Sequence, residues 1–219
     1  MIIGLSGYAK SGKDTAAEMI LDLTKVQVPG LMTSNTWEIK KFSGKLKQIA
    51  SILTGIEVEK FEDQRYKLST IGSEWDTEHT AFGDEFVIEP MTVREFLQLL
   101  GTDAIRNGLH ENAWVNALMA EYIRPLIVST DERLPGTQFG ELGQYPNWIV
   151  TDVRFPNEAE AIKERDGIIV RIDRPGVKPV NSHPSETALD NWDFDYILPN
   201  DSDLTYLKES VESFLKHKI

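Results

Sequence analysis

The sequence predicts an α/β protein: a five-stranded parallel sheet with helices on both faces. Three observations carry that prediction. Short apolar runs alternate with amphipathic helical segments at both ends of the chain, as in βαβ units. A glycine-rich loop ending in Gly12-Lys13 joins the first apolar run directly to the first helix. A second polar cluster, "TDVRFPNEAEA", follows another apolar run. Parallel sheets bind ligands at the carboxyl ends of their strands, so both clusters fall where chemistry is expected.

Residues 2–7, with Ile2, Ile3 and Leu5, predict a buried strand. From Asp14 the 3.6-residue spacing of Ala16, Ala17, Ile20, Leu21 and Thr24 predicts a helix. "VPGLMTSNT" breaks it through Pro29 and Gly30. "WEIKKFS" (37–43) is the second strand, and "GKLKQIASIL" is a helix burying Leu46, Ile49 and Leu53. Residues 72–90 are acidic, without Lys or Arg, and predict an exposed loop or short hairpin. "TVREFLQLLGTDAIRNGL" opens with a Thr92–Glu95 capping box and buries Val93, Phe96, Leu97 and Leu100, with a turn at "LLGTD". "ENAWVNALMAEYIRPLIV" predicts a helix ending near Pro125, and the turn formers of 129–147 predict a loop.

The third strand is "WIVTDV" (148–153), followed by the helix "NEAEAIKERDG", closed by Gly167. "IIVRID" (168–173) is the fourth strand, and "DYILPN" (195–200) the fifth. Between them, the Pro-broken polar stretch 174–193 has the character of a lid. A last helix, capped by Asp201 or Ser202, turns Leu204, Leu207, Val211, Phe214 and Leu215 inward. Strands two and three are separated by about 100 residues, far more than a crossover needs, so 44–146 reads as an insertion able to hold a second substrate. The core is then 1–43 with 147–219, in a single domain.

Composition narrows the function. The 219 residues carry a formal net charge of -12, which argues against a nucleic-acid polymer as partner. Small phosphate ligands need only a few focused cations and stay open. Without cysteine, disulfides, thiolate metal sites and a cysteine nucleophile are excluded, and the four histidines are scattered. No apolar run reaches the ~20 residues of a membrane span, and no signal-peptide pattern opens the chain. A cytoplasmic protein is expected; the number of subunits is left open, a homodimer included.

In the first loop, backbone N–H groups around Gly7, Lys10, Ser11 and Gly12 would form a nest for phosphate oxygens, with Lys13 reaching the β- and γ-phosphates. The phosphate-binding loop ordinarily continues with Ser or Thr, whose hydroxyl holds magnesium; here Asp14 takes that place, followed by Thr15. Asp14 is either a carboxylate ligand to Mg²⁺ or an acid complementing the helix dipole. Thr15 would offer its hydroxyl to the α-phosphate. After strand three, Asp152 could hold a water on the metal, and Arg154 would reach a second phosphate. The alternative is a surface ion pair between Arg154 and Asp152 or Glu158. In the insertion, Lys47, Lys67, Arg94, Gln98, Arg106 and Trp114 are candidates for holding the acceptor, or are ordinary helix charges and core. Arg174 lies on the lid beside Lys178, His183 and Glu186. His183 suits capping beside "HPSE" better than proton transfer.

With these residues placed, the chain resembles the bacteriophage deoxynucleoside monophosphate kinases of the P-loop kinase superfamily. The resemblance rests on "LSGYAKSGKDTAAE", "FSGKLKQIA", "FEDQRYK", "TVREFLQLLGTDAIRNGLHENAWV", "VTDVRFPNEAEAI" and "HPSE". It implies a three-layer P-loop kinase fold and transfer of the ATP γ-phosphoryl, with Mg²⁺, to a deoxynucleoside 5′-monophosphate. In that scheme Lys13, Asp152 and Arg154 are catalytic and Asp14 and Asp152 serve the metal. The loop, Thr15 and Arg174 would bind ATP, while the insertion residues with Arg154 and Glu158 would bind the acceptor. "DYILPNDSDL" is similar to the last strand and base-side loop of dephospho-coenzyme A kinases, which keeps another small-molecule kinase as a rival. A nucleotide-dependent switch or ATPase is the rival from a different class.

Overall fold

The computed structural model describes residues 1–25, 37–80, 86–130, 138–179 and 183–218, and the statements below concern these. The expected break at Pro29 and Gly30 therefore lies outside the described residues, as do 81–85, 131–137 and, in the stretch expected to be a lid, 180–182. In chain order the elements are β1 (Ile2–Ser6), α1 (Lys13–Leu23), β2 (Trp37–Lys40), α2 (Ser43–Thr54), β3 (Thr77–Thr80) and β4 (Phe86–Glu89). Then come α3 (Val93–Gln98), a π-helical continuation over Leu99–Asn107, α4 (Ala113–Met119), β5 (Leu126–Thr130) and β6 (Gln138–Leu142). The chain finishes with β7 (Asn147–Val150), α5 (Pro156–Lys163), β8 (Ile168–Asp173), α6 (Pro184–Thr187), β9 (Tyr196–Pro199) and α7 (Leu204–Lys218). Two compact units result: Met1–Phe42 with Leu118–Ile219, and Ser43–Ala117.

The first unit is built on the parallel sheet β2-β7-β1-β8-β9. Its central strand β1 pairs Gly4 with Val150 on one side and with Ile169 on the other. Helices cover both faces, so β1 is buried at every residue and reads as a continuous apolar run. On one face Ala16, Ala17 and Ile20 of α1 and Leu207, Val211 and Phe214 of α7 pack with Leu5, Val170 and Ile172. On the other, Gly4 leaves room for α5: a Cβ there would stand 2.8 Å from Ile162 Cδ1. The core strands thus occur in the expected order, each ending earlier than its apolar run except the fourth.

Three expectations in this unit are corrected. α7 starts on Asp203, not on Asp201 or Ser202: Asp203 Oδ1 accepts the Tyr206 N–H at 2.9 Å. Leu204 in the first turn is consequently exposed, while Leu207 begins the inward face. Residues 126–130 and 138–142 are neither a helix tail nor a loop but an antiparallel ribbon, with Leu126 opposite Leu142. The helix that was to end near Pro125 stops at Met119, and the β-branched run beyond Pro125 extends instead.

The second unit has its own small core of Ala50, Phe61, Ile71, Val93 and Phe96, with Trp75 edge-on to Phe96 at 4.8 Å between ring centroids. α2 buries Lys47 and Ala50 and leaves Leu53 exposed, contrary to the face its apolar spacing predicts. β3 and β4 form a hairpin in the acidic stretch, pairing Thr77 with Glu89. The capping box forms as expected: the Glu95 N–H donates to Thr92 Oγ1 at 3.2 Å and the Thr92 N–H to Glu95 Oε2 at 2.9 Å.

"LLGTD", expected as a turn, remains helical in the widened π form through Asn107. Gly101 lies within it because a Cβ would stand 2.8 Å from Leu46 Cδ2. π segments disturb the usual pairing of backbone groups, and the Trp114 indole N–H donates to the Gly101 carbonyl at 2.8 Å.

Candidate functional site

The site of the first unit begins where β1 ends. Gly7 has φ +146° and Gly12 φ +102°, a region L side chains rarely enter. Space forbids a side chain as well: a Cβ on Gly7 would be 2.7 Å from the Ile172 carbonyl oxygen, and one on Gly12 2.6 Å from Asn200 Nδ2. Lys10, also left-handed at φ +67°, offers its carbonyl to Arg174 Nη1 at 3.4 Å. The Ser11 hydroxyl is buried without a hydrogen-bond partner among the described residues. Asn200, just beyond β9, ties the loop to the sheet: its Nδ2 donates to the Ser11 carbonyl at 2.8 Å, and its backbone N–H to the Asp173 carbonyl at 2.7 Å.

Lys13 opens α1 with its Nζ donating to the Gly7 and Tyr8 carbonyls, both at 2.7 Å. Burial pushes this ammonium down from 10.5 to about 8; the positive charge of Arg154 pushes the same way, and Asp14, Glu186 and Asp152 oppose it. The four groups named there are the electrostatic surroundings of Lys13, and they come from α1, the loop after β7 and α6. Asp14 is exposed, with its Oδ1 3.3 Å from Lys41 Nζ. Thr15 is half-buried in the first turn.

Asp152 lies in the turn after β7. Its largely buried carboxylate accepts the Phe42 N–H at 2.7 Å, which fixes it between the ends of β7 and β2. Two residues on, Arg154 Nη1 donates to Glu186 Oε1 at 2.8 Å and to the Ser185 carbonyl at 3.4 Å. Its acidic partner is therefore on α6, not Asp152 or Glu158 as the sequence alternative had it. Glu158 is buried and accepts the backbone N–H groups of Arg154, at 2.8 Å, and Phe155, at 3.1 Å. That carboxylate shapes the loop carrying Arg154, and a direct role in binding substrate would compete with those bonds. His183 caps α6, its Nδ1 accepting the Ser185 N–H at 3.2 Å, in line with the capping role expected of it.

Lys13, Asp14, Asp152, Arg154 and Arg174 thus gather with the glycine loop in one unit. Lys47, Lys67, Arg94, Gln98, Arg106 and Trp114 all lie in the other. There Lys47 is buried in an ion pair with Glu62 at 2.5 Å, Arg106 Nη1 donates to the Glu111 carbonyl at 3.2 Å, and Trp114 holds Gly101. These three have internal structural work. Lys67 and Gln98 are half-buried; Arg94 is too, and its Nε is buried with no hydrogen-bond partner.

The sequence reading missed Asn200, although it stands at the carboxyl end of the last strand, where ligands are expected. It also missed a cluster at the loop tip: Tyr8 Oη donates to Asp190 Oδ1 at 2.8 Å, and the Arg171 guanidinium lies 4.5 Å from the centre of the Tyr8 ring. No local motif marks Arg171, because only pairing of β8 with β1 brings it beside the loop.

Among the described residues no three or more His, Cys, Asp or Glu side chains cluster as a metal cage. Magnesium does not require one, because it takes one or two carboxylates together with substrate phosphates and waters. The hard oxygen donors Asp14 and Asp152, in the same unit as the glycine loop, fit that ion.

The sequence profile of deoxynucleotide monophosphate kinases matches residues 34–211. The chain belongs to that family. The match takes in Asp152, Arg154, Glu186 and Asn200 and begins beyond the glycine loop, which stands on its own geometry. A mimivirus protein (Acanthamoeba polyphaga mimivirus) carrying the same family name is 29% identical over 208 residues, 91% of this chain and 88% of that one. The deoxynucleoside-5′-monophosphate kinase of Escherichia phage T5 is 23% identical, covering 86% of this chain and 85% of its own. The deoxynucleotide monophosphate kinase of Enterobacteria phage T4 is 29% identical over 125 residues, 57% of this chain and 46% of its own. Among the described residues no helix is long and apolar enough to cross a membrane.

Proposed function

We propose that this family member transfers the γ-phosphoryl group of ATP to a deoxynucleoside 5′-monophosphate, giving ADP and the diphosphate. One observation carries the reading. Lys13 and Arg154 sit after the neighbouring strands β1 and β7, electrostatically coupled to each other and to Asp14, Asp152 and Glu186. A polyphosphate is a ligand that would relieve the repulsion between these two cations. Phosphoryl transfer asks the protein for positioning and charge neutralisation, not for a side-chain nucleophile. The N–H groups of residues 7–13 would cradle the donor phosphates, with Thr15 at the α-phosphate and Arg174 beside them. Lys13 would follow charge on the β/γ bridge, and Arg154 would hold the acceptor phosphate as its oxygen attacks in line.

A coupled ADP assay over deoxynucleoside monophosphates, ribonucleotides and dephospho-coenzyme A tests this directly. Turnover with the deoxynucleotides is expected. Turnover confined to dephospho-coenzyme A, or ATP hydrolysis indifferent to any acceptor, overturns it.

Mg²⁺ would be held by Asp14 and Asp152 and, when bound, would neutralise phosphate charge. Asp14→Ala is expected to raise the magnesium concentration giving half-maximal activity, and Asp14→Ser to retain more activity than Asp14→Ala. Superimposable magnesium titrations for Asp14→Ala and wild type would leave Asp14 as the helix-start acid paired to Lys41.

The depressed Lys13 ammonium gives a pH prediction. With a folded value of about 8 against 10.5, the folded chain binds fewer protons than the unfolded one between those limits. Lys13 therefore costs stability at lower pH, and that cost disappears as pH rises through the window. ATP phosphates favour the charged form, so ATP affinity should fall as pH rises past about 8, with proton uptake on binding. Calorimetry in two buffers of different ionisation enthalpy measures the uptake. Lys13→Met should abolish both effects; ATP binding insensitive to pH up to about 9 would place Lys13 away from the phosphates.

A further inference from the structure

Glu186 has no role in the scheme above, yet its geometry is specific. Its side chain is 5% exposed, whereas that of Arg154, to which it is paired at 2.8 Å, is 40% exposed. Arg154 uses a single nitrogen, Nη1, for both Glu186 and the Ser185 carbonyl. A guanidinium has five N–H donors in a rigid fork, so its other nitrogens keep donors for a phosphate. The carboxylate is itself well fixed. His183 caps the short helix that bears it, and Asp190, four residues on, accepts from Tyr8 of the glycine loop at 2.8 Å. Arg154 and Lys13 repel one another, and Glu186 attracts both.

We propose that Glu186 is a positioning residue for phosphoryl transfer: its buried carboxylate grips one end of the Arg154 guanidinium and leaves the rest of the fork to the acceptor phosphate. The role rests on the phosphotransferase reading above. It assigns Glu186 an action through Arg154, the group it touches, rather than through general packing. Without that grip, the two site cations separate and Arg154 samples rotamers that cannot reach the phosphate. Misplacement of that order costs up to about 10²-fold in rate.

The test is a kinetic double-mutant cycle on the full chain, with ATP and the best deoxynucleoside monophosphate of the panel. Thermal midpoints identify a working temperature at which every variant is folded. Glu186→Ala should lower kcat about 30-fold and Glu186→Gln, which keeps an acceptor oxygen, about 5-fold, with ATP affinity changed less than about 2-fold. In the Arg154→Ala background, Glu186→Ala should cost less than about 2-fold, because there is nothing left to position. Equal losses in both backgrounds would make Glu186 a structural residue and overturn the proposal. A rise in kcat/KM for Glu186→Ala would overturn it in the other direction, as Glu186 would then compete with the acceptor for Arg154. Wild-type chain inactive on every monophosphate overturns the phosphotransferase reading itself, whereas active wild type with indifferent Glu186 variants overturns only this role.

Discussion

Lys13→Met is expected to fold with a thermal midpoint close to wild type and to lose at least ~10²-fold in kcat, the scale of a removed transition-state stabiliser. The expectation follows from two opposed terms. The ammonium is buried enough to be pushed down to about 8, so removing its charge relieves desolvation and repulsion from Arg154. Against this, the Gly7 and Tyr8 carbonyls each lose a donor at 2.7 Å. Such losses cost about 1–3 kcal/mol apiece where the group stays dry, but these bonds are only partly buried. Stability therefore stays near balance while chemistry does not. Methionine matches the length of the lysine stem but offers nothing to a β/γ bridging oxygen as charge develops there. Steady-state turnover at saturating ATP, beside a thermal melt, separates the terms. Near-wild-type turnover would remove the glycine loop from the donor site.

What the sequence made legible follows the range of the interactions involved. β1, the glycine loop and α1 are contiguous and self-explanatory: an apolar run, left-handed glycines, then a helical period. The same holds for the Thr92–Glu95 box and for the run 168–173, where apolar residues and strand coincide. A rule about strand ends points to Asp152 and Arg154, and the order β2-β7-β1-β8-β9 sets the strand they follow next to β1, which leads into the glycine loop. Failures came where partners are remote. Sequence proximity offers Arg154 a neighbouring acid, but its partner Glu186 is 32 residues away. Nothing local shows the Glu158 carboxylate bent back onto the Arg154 and Phe155 N–H groups. Lys47 and Trp114 were plausible ligands by type; only the packing of the second unit shows one buried against Glu62 and the other holding Gly101. The ribbon of Leu126–Thr130 and Gln138–Leu142 is illegible for a different reason. Its turn formers outweighed a short β-branched run, and the arms stabilise each other only as a pair.

Arg154 supports the second large prediction, because it can be wrong in more than one way. Arg154→Lys and Arg154→Ala should both lower kcat/KM for the monophosphate by ~10²-fold or more, while ATP affinity without acceptor changes little. Lysine can keep the ion pair with Glu186, but it has a single nitrogen. Its three donors radiate from one atom and cannot reproduce the planar fork, which serves the pair and the phosphate with different nitrogens. Alanine adds a stability cost of another origin. It leaves the Glu186 carboxylate, 5% exposed, without its partner. Breaking a fully buried pair costs about 3–5 kcal/mol, and with Arg154 itself 40% exposed solvent screening reduces this to roughly 1–2 kcal/mol. Arg154→Ala should therefore melt lower than wild type and Arg154→Lys should not, although both are catalytically poor. That dissociation tells a chemical role from a structural one. If Arg154→Lys turns over like wild type, charge alone suffices and the fork is irrelevant. If ATP affinity falls as far as catalytic efficiency, Arg154 belongs to the donor phosphates. If both variants keep full activity and only Arg154→Ala loses stability, the Arg154–Glu186 pair is a tether between the β7 loop and α6, and the acceptor phosphate is held elsewhere.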